Sequence, residues 1–159
     1  MSDFTPRAAD YEQRVRDSFA RQGVMDLIGA QMTAVTPGRV TIVLPFRSDL
    51  CQQHGFFHAG VTSTVADSAG GYAAFTLFPA DSSVMTVEFK INLLAPADGE
   101  RLRAEGRVIR PGRRLTACDV EVFAEKDGRS TLCAKLMQTL ICLENKPDRP
   151  AGEAEDERR

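Results

Sequence analysis

The chain has no C-x-x-C pair, no apolar run of membrane-spanning length, no large surplus of either charge, and only two histidines. Each shortage excludes something. Its four cysteines, Cys51, Cys118, Cys133 and Cys142, are scattered. Three of them lie in apolar strand-like runs where small hydrophobes belong, so they read as reduced core thiols and not as a disulfide framework. No stretch reaches the roughly 18 uninterrupted apolar residues of a membrane span. Residues 1–17 alternate charge and polarity where a secretory leader would show a basic end and then an apolar segment. The cytosol is therefore the expected location. A formal net charge of −2 does not supply the broad basic face that a phosphate backbone demands, so nucleic acid is not an expected partner. His54 and His58 have no Cys or Glu at ligand spacing, so neither a metal nor another cofactor is expected.

What is present suits one soluble domain. The 159 residues are 43% hydrophobic and 26% charged, enough to bury a core without disulfides or metal. Thr5-Pro6, followed by Ala8, Ala9, Tyr11, Val15 and Phe19, predicts a short amphipathic helix over about residues 6–22, with Gly23 as its stop. Residues 27–35 and 39–45 are β-branched and alternating, and Pro37-Gly38 between them predicts a hairpin turn. Residues 57–78 form the one long helical pattern, with Val61, Val65, Tyr72 and Ala73 among its apolar positions.

Four strands are then predicted, at about 83–94, 101–110, 114–125 and 130–143. Short links at 96–99, 111–112 and 126–128 make them antiparallel neighbours. Along 85–93 the residues Met85, Val87, Phe89, Ile91 and Leu93 alternate with Thr86, Glu88, Lys90 and Asn92. The last strand is apolar on both faces apart from Lys135, Gln138 and Thr139, which places it centrally. From Glu144 onward the chain is polar and charged, and residues 144–159 are expected to be a disordered tail beyond a domain of residues 1–143. The fold class is α+β, with one long helix filling one curled antiparallel sheet.

The long helix carries the candidate chemistry. Gly60, Ser63, Thr64, Asp67, Gly70, Gly71 and Ala74 give it a stripe of small or polar side chains that allows a close approach. Both histidines sit in the run Gln52-Gln53-His54-Gly55-Phe56-Phe57-His58-Ala59-Gly60, just before it. A helix start presents unpaired N–H groups and a partial positive charge, a receptor for the oxyanion of an acyl-transfer intermediate. A carboxylate within the helix can activate water or attack a carbonyl itself. Ala59 and Asp67 are eight residues apart, about 12 Å along a helix axis, too far for one carbonyl to touch both. If both act in one reaction, the acid of one chain meets the helix start of another, and a two-fold homodimer with two equivalent sites is the simplest arrangement.

His58-Ala59-Gly60, then Val65-Ala66-Asp67-Ser68-Ala69, Thr86-Val87-Glu88-Phe89-Lys90-Ile91-Asn92, Pro96, Gly106-Arg107-Val108 and Gly112-Arg113 together resemble the hotdog-fold thioesterases of the phenylacetyl-CoA thioesterase (PaaI-type) group. The resemblance covers about residues 24–143. It implies hydrolysis of acyl-CoA to free acid and CoA, with Asp67 as nucleophile or general base, the Ala59 N–H as oxyanion donor, and Thr86 orienting the water or the carboxylate. Gly60, Lys90 and Pro96 fall in the substrate-binding motifs, and His58 is expected to position substrate or structure.

Two departures stand out. Alanine replaces the family's usual second glycine at 59, and Gln52 aligns where asparagine is common, so Gln52 or Gln53 is the residue to polarise the carbonyl. The Gln-Gln-His-Gly-Phe-Phe-His version is similar to a branch acting on medium- and long-chain acyl-CoA. Such dimers often pair into tetramers.

Residues 101–114 hold six arginines (101, 103, 107, 110, 113, 114) against one acid, Glu105. Arg113 and Arg114, in the Pro111-Gly112 turn, are the candidates for the phosphates of CoA. The same fold could serve a non-catalytic acyl-CoA sensor, which would have no use for Asp67, or an enoyl-CoA hydratase or dehydratase using His58 with Asp67, although the proline-rich loop of that branch is missing.

Overall fold

The computed structural model describes residues 4–146, 148 and 149. Two short helices lead in: α1 (Tyr11–Ala20) and α2 (Gly23–Ile28). The helix expected over 6–22 thus starts later. Gly23, expected to end it, opens a second helix instead. Gln22 is extended between the two, and Gly29, at φ 77°, closes α2 in the left-handed region that glycine alone enters freely. Met25 and Ile28 are buried at helical spacing. The first strand therefore begins at Gln31 and not at residue 27.

β1 (Gln31–Thr36) and β2 (Arg39–Pro45) form the expected hairpin, with Gly38 at φ 75° in its turn. After a short 3-10 turn comes the long helix α3 (Ala59–Phe75), shorter at both ends than its sequence pattern. The remaining strands are β3 (Ser82–Leu93), β4 (Arg101–Arg110), β5 (Leu115–Lys126) and β6 (Arg129–Glu144). All pairings are antiparallel and the sheet order is β1-β2-β4-β5-β6-β3. β6 is interior, as its two apolar faces predicted, and β3 lies at an edge.

One face of this sheet holds α3. Val65, Ala66, Ala69 and Ala73 pack onto Leu102, Ala104, Val120, Leu136 and Leu140, all of them buried. The helix lies so close because β4 offers Gly106 beneath it: a Cβ there would come within 2.3 Å of the Ala69 carbonyl oxygen. The stripe of small residues is therefore not one surface. Gly70 and Ala74 are buried against the sheet, whereas Ser63, Thr64, Asp67 and Gly71 are half-buried and Gly60 is exposed.

Cys118, Cys133 and Cys142 are free and buried, and Cys51 is free and half-buried. Arg101 and Arg103 are ion-paired to Glu125, and Arg107 to Asp119, on the face away from α3. Glu144, expected to begin the tail, still pairs with Ser82, and Asp148 accepts a salt bridge from Arg21. Residues 147 and 150–159 of that expected tail lie outside the described residues. No helix among the described residues is long and apolar enough to cross a membrane.

Candidate active site

The start of α3 is held from several sides. Gln52 N–H donates to the Phe56 carbonyl at 2.9 Å, Phe57 N–H to Ala97 at 3.1 Å and His58 N–H to Leu50 at 2.9 Å. His58 is the N-cap: its backbone is extended, and its Nδ1 accepts from the Gly60 N–H at 2.9 Å. The imidazole is thus committed to the helix, and so is the Gly60 N–H. Ala59, as first helical residue, keeps an N–H with no acceptor inside the helix, at the positive end of the helix dipole.

Ala59 and Gln52 line one cavity of about 160 Å³ with Leu93, Pro96 and Cys133. Of the two glutamines, Gln52 is therefore the one beside Ala59. Its side-chain oxygen accepts from the His54 N–H, while exposed Gln53 lies against the His54 ring.

Asp67 stands two turns further along. Thr86 Oγ1 donates to its Oδ1 at 2.7 Å. Uninterrupted alternation would have put Thr86 and Phe89 on opposite faces of β3. A bulge between Thr86 and Glu88 changes the phase, so that Thr86 pairs with Leu140 and Phe89 with Gln138, both on the helix side. Burial is the main influence on the Asp67 carboxyl and pushes its pKa up; the Thr86 hydroxyl pulls it part of the way back. No charged neighbour is among the causes.

The carboxyl opens into a cavity of about 200 Å³ lined by Gln22, Ser68, Gly71, Tyr72, Val84 and Thr86. Ser68 Oγ lies 3.3 Å from the Gln22 side-chain oxygen, and the Tyr72 hydroxyl 3.2 Å from Ser18 Oγ. Burial pushes the Tyr72 phenol up to about 12, so it is a neutral hydrogen-bonding group there. The hydroxyls of Ser63 and Thr64 fold back onto helix carbonyls at 2.8 Å and are already satisfied.

Other sequence candidates are not brought to Asp67 within one chain. Lys90 pairs with Met137 on the face opposite α3. Arg113 lines a separate cavity of about 430 Å³ with Phe4, Leu77 and Phe78, past the C-terminal end of α3, and exposed Arg114 shares its turn. Residues not foreseen are Gln22, Ser68 and Tyr72 around the acid, and Gln138 beneath it, whose Nε2 donates to the Asp67 main-chain carbonyl at 3.2 Å. Gln138 had left a signal in the sequence: it is a polar residue on the inward phase of an apolar strand.

The model of the Thioesterase superfamily matches residues 54–131. A thioesterase family protein from Silicibacter pomeroyi is 49% identical, with TM-score 0.83 over 84% of this chain and 98% of that one. The E. coli PaaI protein of the phenylacetic acid degradation operon shares the fold at 15% identity, TM-score 0.77, over 89% of this chain and 99% of its own. The 1,4-dihydroxy-2-naphthoyl-CoA hydrolase of Listeria monocytogenes is 23% identical over 105 residues, 66% of this chain and 85% of that one. A six-stranded antiparallel sheet around one helix, with these likenesses, makes the chain a member of the thioesterase superfamily and a hotdog-fold thioesterase.

Proposed function

We propose that this thioesterase hydrolyses acyl-CoA to free acid and CoA at a site shared by two chains, with Asp67 as nucleophile or general base. The observation that carries this reading is the Thr86-held, desolvated Asp67 carboxylate opening into a cavity. With water as nucleophile, Asp67 takes a water proton as the oxygen bonds to the thioester carbon. The carbonyl oxygen becomes an oxyanion on the Ala59 N–H of the partner subunit, with Gln52 beside it. Collapse breaks the C–S bond, and the thiolate leaves with the proton returned. The acyl-CoA hydrolase among the relatives supports CoA as the thiol. Medium- or long-chain and aryl acyl groups are the substrate class.

Two chains are needed because Ala59 and Asp67 line different cavities. The edge strand β3 supplies the means of joining them. One of its edges pairs with β6 and the other with nothing among the described residues, and it exposes Met85, Val87, Phe89 and Leu93. A 12-residue edge strand carrying these four exposed apolar side chains invites pairing with a second copy. Two such dimers pairing gives a tetramer.

The test of the reaction is a panel of aliphatic and aryl acyl-CoA thioesters with detection of free thiol. Release from one class supports the reading, and no release from any member of the panel ends it.

The shared site has its own test. Ala59 is the first helical residue and His58 before it is extended, so Ala59→Pro removes the N–H while the helix start tolerates the ring. Homodimers of Ala59→Pro or of Asp67→Asn are expected to be inactive. A mixed dimer of the two has one intact site and regains about half the wild-type rate. No recovery in verified mixed dimers refutes sharing.

A further inference from the structure

We infer that Gln138, which no step of the reaction needs to touch, is a positioning residue that fixes the helical turn carrying Asp67. The inference rests on the functional reading above. Gln138 is a side chain only 1% exposed, set between Leu136 and Leu140 on the inward face of β6. Its Nε2 donates to the Asp67 main-chain carbonyl at 3.2 Å, and its Oε1 has no hydrogen-bond partner. A buried acceptor left unpaired weakens a fold. An aliphatic side chain of the same size would fill the place without that defect, so the amide is retained against stability.

Room for the amide has been made at a second cost. Gly70 lies in the interior of α3, where glycine is a poor helix former. A Cβ at Gly70 would come within 2.7 Å of Gln138 Nε2, 2.9 Å of its Cδ and 2.9 Å of Val120 Cγ2. The helix thus gives up a methyl group where the Gln138 amide, beside Val120, reaches its backbone.

What is held is the turn with the acid. Gln138 pairs across the sheet with Phe89, and Leu140, two residues on, pairs with Thr86. β6 therefore holds the Asp67 backbone while β3, in register with it, holds the Asp67 carboxyl through Thr86. A carbonyl oxygen has two lone pairs, so it accepts from Gln138 without giving up a helical N–H. Without the amide the helix can turn or slide on its small-residue face, and the Thr86 hydroxyl loses its grip on the carboxylate. The groups facing Asp67 from the α1–α2 link, β3 and β6 are Gln22, Thr86 and Gln138, none of them charged. The Asp67 titration accordingly reports the two influences on it, burial and the Thr86 bond, and loss of that bond alone raises the pKa.

The decisive variant is Gln138→Met, which keeps the volume and removes both donor and acceptor. With the best acyl-CoA of the panel, kcat is expected to fall by about tenfold with KM within about twofold, as for a misplaced catalytic group. The melting temperature should not fall. The Asp67 carboxyl, followed by 13C NMR in the wild-type chain and in the variant, should titrate at higher pH in the variant. Gln138→Glu, whose buried carboxyl stays protonated and can donate to the same carbonyl, is expected to regain part of the lost rate.

An unchanged kcat with an unchanged Asp67 titration overturns the inference. So does a loss of rate that tracks a loss of melting temperature, or failure of both Gln138→Met and Gln138→Leu to fold, since the side chain would then serve the fold alone. The NMR titration needs no turnover. If the wild-type chain releases thiol from no acyl-CoA, the functional reading falls, while the shift between the two chains still decides whether Gln138 places Asp67.

Discussion

Asp67→Asn is expected to lower thioester turnover by about a hundredfold or more while leaving the folded chain at least as stable at neutral pH. The amide keeps an oxygen to accept from Thr86, so the local geometry persists; only the carboxylate proposed as nucleophile or base is gone. Burial holds the Asp67 pKa above its ordinary value, so the folded state binds this proton more tightly than the unfolded chain does. An acid shifted in that direction stabilises the fold below its unfolded pKa, and that contribution is lost as pH rises through the folded value. At pH 7 the ionised carboxylate is therefore a burden on the fold that asparagine relieves. A melting curve and a rate, measured on the same sample, should move in opposite directions or the first not at all.

The pH dependence has the same origin. With the Asp67 carboxylate as the proposed active form, kcat is expected to rise with pH along a limb placed above the ordinary aspartate range, and Asp67→Asn to abolish that limb. Near-normal turnover by Asp67→Asn contradicts the assignment, and so does an acid limb preserved in its residual rate.

Much of this architecture could be read from residues before any coordinates. The alternation in 101–110 and 114–125, with Pro111-Gly112 between them, marks two strands because period-two burial leaves a period-two sequence. Asp67 could be singled out as a candidate only by its company of Gly60, Ser63, Gly70 and Gly71 together with the family motif, since an aspartate in a helix is by itself most often a solvated surface residue. Thr86 was visible only as a motif residue; its place opposite Asp67 depends on the bulge at Val87, and a bulge changes the phase of a strand without changing its alternating composition.

Gly23 misled for a related reason. A glycine signals a stop or a start according to the conformation of its neighbour, and extended Gln22 decided it. The cavity residues Gln22, Ser68 and Tyr72 come from α1–α2 and α3, segments brought together by packing at long range, which no local pattern encodes. The arginines of 101–114 looked alike in sequence, yet three of them meet acids across the sheet, pairings set by register alone.

The largest expected effect on stability belongs to a residue with no side chain. In Gly106→Ala the new Cβ would lie 2.3 Å from the Ala69 carbonyl oxygen, 2.4 Å from its carbon and 2.7 Å from the Gly70 nitrogen. These are backbone atoms in the middle of a helix, unable to swing aside as a flexible side chain would. Either α3 lifts off β4, opening the layer where Ala69 and Ala73 meet Ala104 and Val120, or β4 bends away from β2 and β5. Both lose packing along the whole helix, and a loss of about 3 kcal/mol or more is expected.

The control is Gly71→Ala, one position along from Gly70. There the nearest atom to a new Cβ is Leu140 Cδ1 at 3.9 Å, an ordinary contact. Restoring a good helix former at that position should stabilise the chain by roughly 0.5–1 kcal/mol. Two glycine-to-alanine changes on either side of one interface thus have opposite signs, which denaturant titration can separate. Equal stability of the two variants would mean that α3 does not ride on Gly106. The helix would then be free to seat Asp67 elsewhere, and the register of acid against Thr86 would lose its foundation.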